Sequence, residues 1–250
     1  VPVIKVPYHL DEYVPDLDIP LPAQDLACGD LPPGDVWDRL AFLYSEVSRA
    51  VADVAARGGC PVVVSGDCTT ALGTVAGLHR ASVDAGIVWF DAHGDLQTLE
   101  TTASGYLGGL PLRLLVGYRP ELIAARLGLR AVPEHRVLLV GARDLDPPET
   151  SYLASAQVRR REVASLRPAD LPDGPLYVHL DLDVIDGAEV PGLRLPVPGG
   201  PEPADVAHAL RILVGTGRIA AVGVACTWHP GHGAAARVRP HLEAALTTLA

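Results

Sequence analysis

The stretch GIVWFDAHGD, residues 86–95, decides how the chain is read. Its first half, Gly86–Phe90, is an apolar run without polar alternation, the pattern of a strand buried on both faces of a parallel sheet. Asp91, His93 and Asp95 follow at every second position, and extended backbone at that spacing sends the three side chains to one side. Two other segments repeat the arrangement. In LYVHLDLDVID (176–186) the run Leu176–Leu180 is followed by Asp181 and Asp183, which also share a side. In PVVVSGDCTT (61–70) the run Pro61–Ser65 is followed by Asp67 and Cys68.

Further short runs at Val3–Val6, Arg136–Gly141 and Ile219–Ala225 read as strands. Between these six runs lie amphipathic stretches that read as helices at Val36–Arg57, Thr70–Arg80, Pro120–Leu127, Glu149–Ala156, Ala204–Gly215 and Pro240–Leu249. The helix before the last strand is opened by Pro201 and Pro203, since proline fits a first helical turn. Strand–helix alternation along the whole length predicts an α/β layered domain with a mainly parallel sheet. The Pro-rich stretches at 14–22, 32–33 and 191–203 read as loops, and residues 1–250 read as a single domain.

The composition narrows the function. Thirty acidic residues against 20 basic give a net charge of -10, which argues against a nucleic-acid or anionic-membrane surface. At 48% hydrophobic and 20% charged, the chain is not disordered. Cys28, Cys60, Cys68 and Cys226 contain no C-x-x-C pair, which suits a reducing cytosol better than a disulfide scaffold. No apolar run reaches membrane-spanning length and no signal peptide opens the sequence, so a cytoplasmic protein is expected.

In open parallel sheets ligands bind beyond the carboxyl ends of the strands. Asp91, His93, Asp95, Asp181 and Asp183 would converge there and repel one another. Divalent cations relieve that cost, and carboxylates with one imidazole are a ligand set that holds them. The competing reading is helix capping, common for a single aspartate after a strand. It is a poor account of D-x-H-x-D and D-x-D together.

The segments SGDC, WFDAHGDLQT, GARDLDPPE and HLDLDVIDGAEVPG together resemble the ureohydrolases: arginase, agmatinase and formiminoglutamase. The resemblance runs from about residue 61 to 230. It implies a three-layer α/β/α fold and two divalent ions, Mn(II) in the family. It also implies a metal-bound hydroxide that attacks a guanidinium or amidine carbon of a small molecule, in a cytoplasmic trimer or hexamer. Carried over, Asp91 and Asp181 bridge both metals, Asp95 completes the first site, and His93 and Asp183 complete the second. Asp95 is also the hydrogen-bond partner of the nucleophile.

Three positions depart from the family. Cys68 stands where a histidine ligand is usual. A thiolate there favours softer ions such as Zn(II), Co(II) or Fe(II) and weakens the acidity of bound water. The alternative is a buried thiol beside a vacant first site. Together with Gly105-Tyr106-Leu107-Gly108-Gly109, Cys68 also resembles the branch that hydrolyses Nω-hydroxyarginine. Gly108 replaces the family's proton-shuttling histidine, and Thr227 replaces the glutamate that pairs with the guanidinium. Burying a full guanidinium without a carboxylate is costly, so a hydroxyguanidine, amidine or amide suits this chain better than arginine.

The loop positions of Gln97, Ser104 and Tyr106 read the substrate's α-carboxylate in arginases. Those of Asp146 and Glu149 face its α-amino group, although both acids would equally cap the helix that begins near Pro147. Trp228 could offer a ring face and His229 a general acid; a structural or surface histidine before Pro230 is the alternative. Two functions from different classes follow. One is a metal-dependent hydrolase cleaving a C–N bond of a guanidino- or amidino-type metabolite. The other is a degenerate relative that binds a ligand or partner without turnover, supported by Cys68, Gly108 and Thr227.

Overall fold

The computed structural model describes residues 2–247 and 249. In chain order the elements are β1 (Val3–Val6), β2 (Tyr8–His9), β3 (Glu12–Tyr13), β4 (Gln24–Asp25) and α1 (Val36–Ala55). Then follow β5 (Val62–Ser65), α2 (Ala71–Arg80), β6 (Gly86–Phe90), α3 (Pro111–Leu115), α4 (Ala124–Leu127) and β7 (Val137–Val140). The chain ends with α5 (Pro147–Leu153), β8 (Arg159–Arg161), β9 (Leu176–Asp181), α6 (Pro203–Val214), β10 (Ile219–Ala225) and α7 (Ala234–Leu246).

Eight strands form one sheet in the order β4-β1-β5-β10-β9-β6-β7-β8, and every pairing is parallel. β5, β6, β7 and β9 are buried along their whole length. One face of the sheet carries a core shared with α1, α2, α3 and α4, and the other a core shared with α6 and α7. The result is the three-layer α/β/α sandwich expected, because strands apolar on both sides must be covered on both sides.

Local chemistry explains the covering helices. Asp35 caps α1 by accepting from the Asp38 amide at 2.9 Å, and Leu40, Leu43, Tyr44, Val47, Val51 and Val54 line the buried stripe. That stripe meets α2 at two glycines. A Cβ on Gly73 would lie 2.9 Å from the Tyr44 carbonyl oxygen, and one on Gly77 2.6 Å from Val51 Cβ, so larger residues would push the helices apart.

Register places the site. Phe90 pairs with Leu180 across β6 and β9, Asp181 with Ala225 across β9 and β10, and Ala225 with Ser65 across β10 and β5. Four central strands therefore end level, and the segments after them meet at one carboxyl edge.

The last helix differs from expectation. α7 begins at Ala234 and carries Pro240 inside it. Gly233 turns the chain at φ +85°, and the Arg237 amide closes the first turn on its carbonyl. Ala235, Val238, Leu242, Ala245 and Leu246 bury a continuous stripe that carries the helix past the missing proline donor. Thr248, within the expected span, lies outside the described residues. The helix expected from Pro120 is regular only over Ala124–Leu127, and the one expected at Glu149–Ala156 runs from Pro147 to Leu153. The edge strands β4 and β8 went unforeseen because Gln24–Asp25 and Arg159–Arg161 carry no apolar pattern. Among the described residues no helix is long and apolar enough to cross a membrane.

Candidate metal centre and its cavity

Asp91 and Asp181 stand side by side at the ends of β6 and β9, both buried. Backbone amides orient each carboxylate: His93 N donates to Asp91 Oδ1 at 2.7 Å, and Asp183 N to Asp181 Oδ1 at 2.9 Å. Capping geometry and ligand geometry therefore coexist, since each oxygen has a second lone pair to offer. Trp89 Nε1 donates to the other Asp91 oxygen at 3.0 Å. His93 Nδ1 lies 3.0 Å from Asp183 Oδ2 and 3.4 Å from Asp91 Oδ1.

Cys68 enters from the β5 side. Asp67 accepts from the Thr69 amide at 2.7 Å and from the Leu10 amide at 2.6 Å, pinning the turn that carries Cys68 to the N-terminal hairpin. The Cys68 thiol donates to Asp181 Oδ2 at 2.9 Å. Thr227, following β10, donates its hydroxyl to Asp181 Oδ1 at 2.8 Å. Asp95 adopts φ +53°, a left-handed conformation that aspartate tolerates. Its Oδ2 is buried without a hydrogen-bond partner.

The electrostatics are those of a buried, densely anionic cluster. Burial, then the charges of Asp91 and Asp181, push the Asp95 carboxyl well above its usual range. Burial, then Asp183 and Asp91, do the same to Asp181. Burial and Asp91 raise Asp183 to about 6. Burial and the acids Asp181, Asp95 and Asp91 raise the Cys68 thiol. Burial opposes charge on His93, but its bonds to Asp183 and Asp91 outweigh that and raise it to about 12. Burial likewise opposes ionisation of Asp91, and the bond and charge of His93 prevail, holding it low.

Two sets of donors could each hold a divalent ion. Cys68, Asp91 and Asp181 offer ligand atoms within 4.8 Å of one another, as do Asp91, His93 and Asp183. Asp91 belongs to both, the arrangement a bridged pair of ions requires. The unpartnered Asp95 oxygen at the same edge fits the same group. With a thiol, an imidazole and hard carboxylates, the donor set suits borderline ions as well as Mn(II).

The cluster floors a cavity of about 250 Å³, metabolite-sized rather than drug-sized. Cys68, His93, Asp95, Gln97, Ser104, Tyr106, Asp146, Glu149, Asp181, Asp183 and Thr227 all line it. His229 does not: its side chain is exposed, beside His232 at 6.4 Å between ring centroids. His229 is thus not the general acid but the surface histidine that was the alternative reading, because the turn after β10 directs it outward. Trp228 is buried and donates to Asp18, so its ring is core rather than cavity wall.

The wall residues are largely committed to one another. Gln97 donates to Asp146 Oδ2 at 2.6 Å and accepts from the Thr101 hydroxyl at 2.7 Å. Glu149 accepts from the Leu96 and Asp146 amides at 2.9 and 3.0 Å, so the capping reading describes its bonds. The exposed Ser104 accepts from the Tyr106 amide at 3.2 Å. The Tyr106 ring lies against Gly108, and its hydroxyl meets His9 Nε2 at 3.2 Å. His9 in turn is held by the Gly66 carbonyl at 2.9 Å.

His9, Asp144 and Arg194 escaped the sequence reading, although Asp144 and Arg194 line the cavity. Asp144 sits in a motif whose neighbours drew attention. Arg194 lies in a Pro-rich loop and His9 in a two-residue strand, where nothing in the sequence signals them.

A model of the arginase family matches residues 7–227 of this chain. The arginase of Bacillus caldovelox is 34% identical over 179 residues, covering 64% of this chain and 58% of that protein. The arginase of Brevibacillus brevis is 32% identical, covering 65% of this chain and 59% of that protein. The matched region thus spans less than two thirds of the length of these curated relatives. Among solved structures, an arginase from Bacillus subtilis superposes with a TM-score of 0.81 at 25% identity, covering 99% of this chain and 97% of that one.

Proposed function

The chain belongs to the arginase family, and from that premise we propose that it is a hydrolase cleaving a C–N bond of a guanidino- or amidino-type small molecule. Residues 1–250 act as one unit in this reading. The observation that carries it is the pair of ligand sets that share the buried Asp91 and present Cys68, His93, Asp181 and Asp183 to the cavity.

Asp91, Asp181, Asp95 and Cys68 would hold one divalent ion, and Asp91, Asp181, His93 and Asp183 the other. Bound there, two divalent ions make a water nucleophilic near neutral pH and offset the charge of the cluster. The residues of the chain do the remaining work. Trp89 and the backbone amides of His93 and Asp183 fix the carboxylate orientations. The free oxygen of Asp95 accepts a hydrogen bond from the attacking water and takes its proton as the oxygen adds to the amidine carbon. The departing nitrogen then receives that proton as the C–N bond breaks, yielding an amine and a urea or amide.

Thr227 bears on substrate choice. Its hydroxyl is turned to Asp181 and offers a guanidinium no countercharge. A less basic group such as a hydroxyguanidine, as in Nω-hydroxyarginine, enters such a site at lower cost. The Cys68 ligand makes Zn(II), Co(II) or Fe(II) competitors of Mn(II). The test is a hydrolysis screen with each metal over arginine, Nω-hydroxyarginine, agmatine, 4-guanidinobutyrate and formiminoglutamate, with ureas and amines detected separately. Turnover of a hydroxyguanidine or amidine in preference to arginine supports the proposal.

One observation favours a second reading, binding without turnover. The position of the family's proton-shuttling histidine is Gly108, and the space beside it is filled by the Tyr106 ring. Metal-loaded protein inert toward every compound of the screen would select that reading.

A further inference from the structure

Arg194 lines the cavity on the wall formed by the loop after residue 190. Its backbone is fixed there. The Arg194 amide donates to the Thr227 carbonyl at 2.9 Å, and Leu193 forms an antiparallel bridge with the buried Trp228. The side chain is not committed in the same way. Arg194 Nε is buried and has no hydrogen-bond partner. No ion pair among the described residues includes it. An arginine held on a rigid base with a buried, idle donor is poised for a ligand, since leaving such a donor unmade is costly.

The chemistry of that ligand follows from what surrounds it. On the facing 95–106 loop, Gln97 and Tyr106 are bonded to Asp146, Thr101 and His9 within the protein, whereas the exposed Ser104 hydroxyl only accepts, from the Tyr106 amide, and is a neutral donor beside the charged fork of Arg194. The guanidinium fork matches a planar carboxylate with two parallel bonds. A cationic ligand group would be repelled at this wall and drawn instead to Asp144, Asp146 and Glu149, which also line the cavity.

We infer that Arg194 is a specificity-determining residue that pairs with a carboxylate of the substrate, so that the cavity takes an amidino or guanidino acid rather than the corresponding amine. The inference rests on the hydrolase reading for the choice of ligands only. Its test reads binding and not turnover, so the two fail separately.

The test is calorimetric titration of the Mn(II)-loaded full chain with 4-guanidinobutyrate and with agmatine, which carry a carboxylate and an ammonium on like chains. Wild-type protein should bind 4-guanidinobutyrate at least about tenfold more tightly than agmatine. Arg194→Gln should abolish that preference by weakening the acid alone, whereas Arg194→Lys should retain part of it, because charge survives but the fork does not. The inference is overturned if wild-type protein shows no preference for the acid. It is equally overturned if folded Arg194→Gln protein keeps the preference or loses affinity for both compounds alike.

Discussion

The ring of Tyr106 occupies the space that any side chain on Gly108 would need: a Cβ there would collide with ring carbons Cε1 and Cζ. The two positions are therefore one device. The missing side chain at 108 is what lets the phenol lie in the cavity wall and reach His9. Gly108→Ala should expel the ring and cost about 1–3 kcal/mol of stability, as overpacking does. In a Tyr106→Ala background the same change should cost almost nothing. Denaturant unfolding of the two single variants and the double variant measures this coupling; purely additive effects would refute it.

Trp89 holds Asp91 from below. Its indole donates to Asp91 Oδ2 and stacks on His179 with ring centroids 3.6 Å apart. Burial pushes His179 down to about 3, so it sits neutral in this layer. Trp89→Phe keeps the stacking and deletes the donor. Metal affinity should fall about 10–100-fold, the usual cost of losing a partner behind a ligand. Competition against a fluorescent chelator checks this, with circular dichroism to show that the fold is intact.

The cluster predicts an unusual pH dependence for chelator-treated protein. Asp183 is raised to about 6, above its unfolded value, so between about 4 and 6 the native state binds more protons than the unfolded state. Its contribution to stability therefore falls as pH rises through that window. His93, raised to about 12, gives a contribution present below its unfolded value of about 6.5 and lost as pH climbs above it. Thermal unfolding of the chelated protein should thus shift to lower temperature from pH 4.5 to pH 7.5. Saturating Mn(II) should remove or reverse the trend, because metal binding displaces those protons.

Much of this architecture was legible in the sequence because the central strands are apolar on both faces and end in charge. Gly86–Phe90 and Leu176–Leu180 could hardly be anything but buried parallel strands, and the acids after them had one edge to occupy. The helix around Pro240 misled because local proline chemistry gave way to the buried stripe of Val238 and Leu242. His229 was left open between general acid and surface residue, since sequence proximity to Thr227 says nothing about which way a turn directs a ring, and it is the surface residue. Arg194 and His9 were invisible because their importance lies in contacts with residues more than thirty positions away, Thr227 for one and Gly66 for the other.

Arg143 ties the loop of Asp183 to the loop after Val197. Its guanidinium donates to the carbonyls of Val184 and Val197 at 2.8 Å each, and to those of Ile185 and Pro198 at 3.2 Å. Lysine cannot reproduce that fan of donors. Arg143→Lys should cost about 2–4 kcal/mol by leaving carbonyls unpaired, read as a lower midpoint in urea unfolding. An unchanged midpoint would show the two loops to be held by other means.

In the proposed site, Cys68, Asp91, Asp95, His93, Asp181 and Asp183 together hold two divalent ions. Metal analysis of the purified chain after equilibration with Mn(II) or Co(II), beside a Cys68→Ala variant, reads this out. Two ions per wild-type chain are expected and one in the variant, with a sulfur-to-Co(II) charge-transfer band present in the first and absent in the second. A wild-type chain that binds no ion, or a variant that binds both with an unchanged spectrum, would show that these residues do not hold the pair.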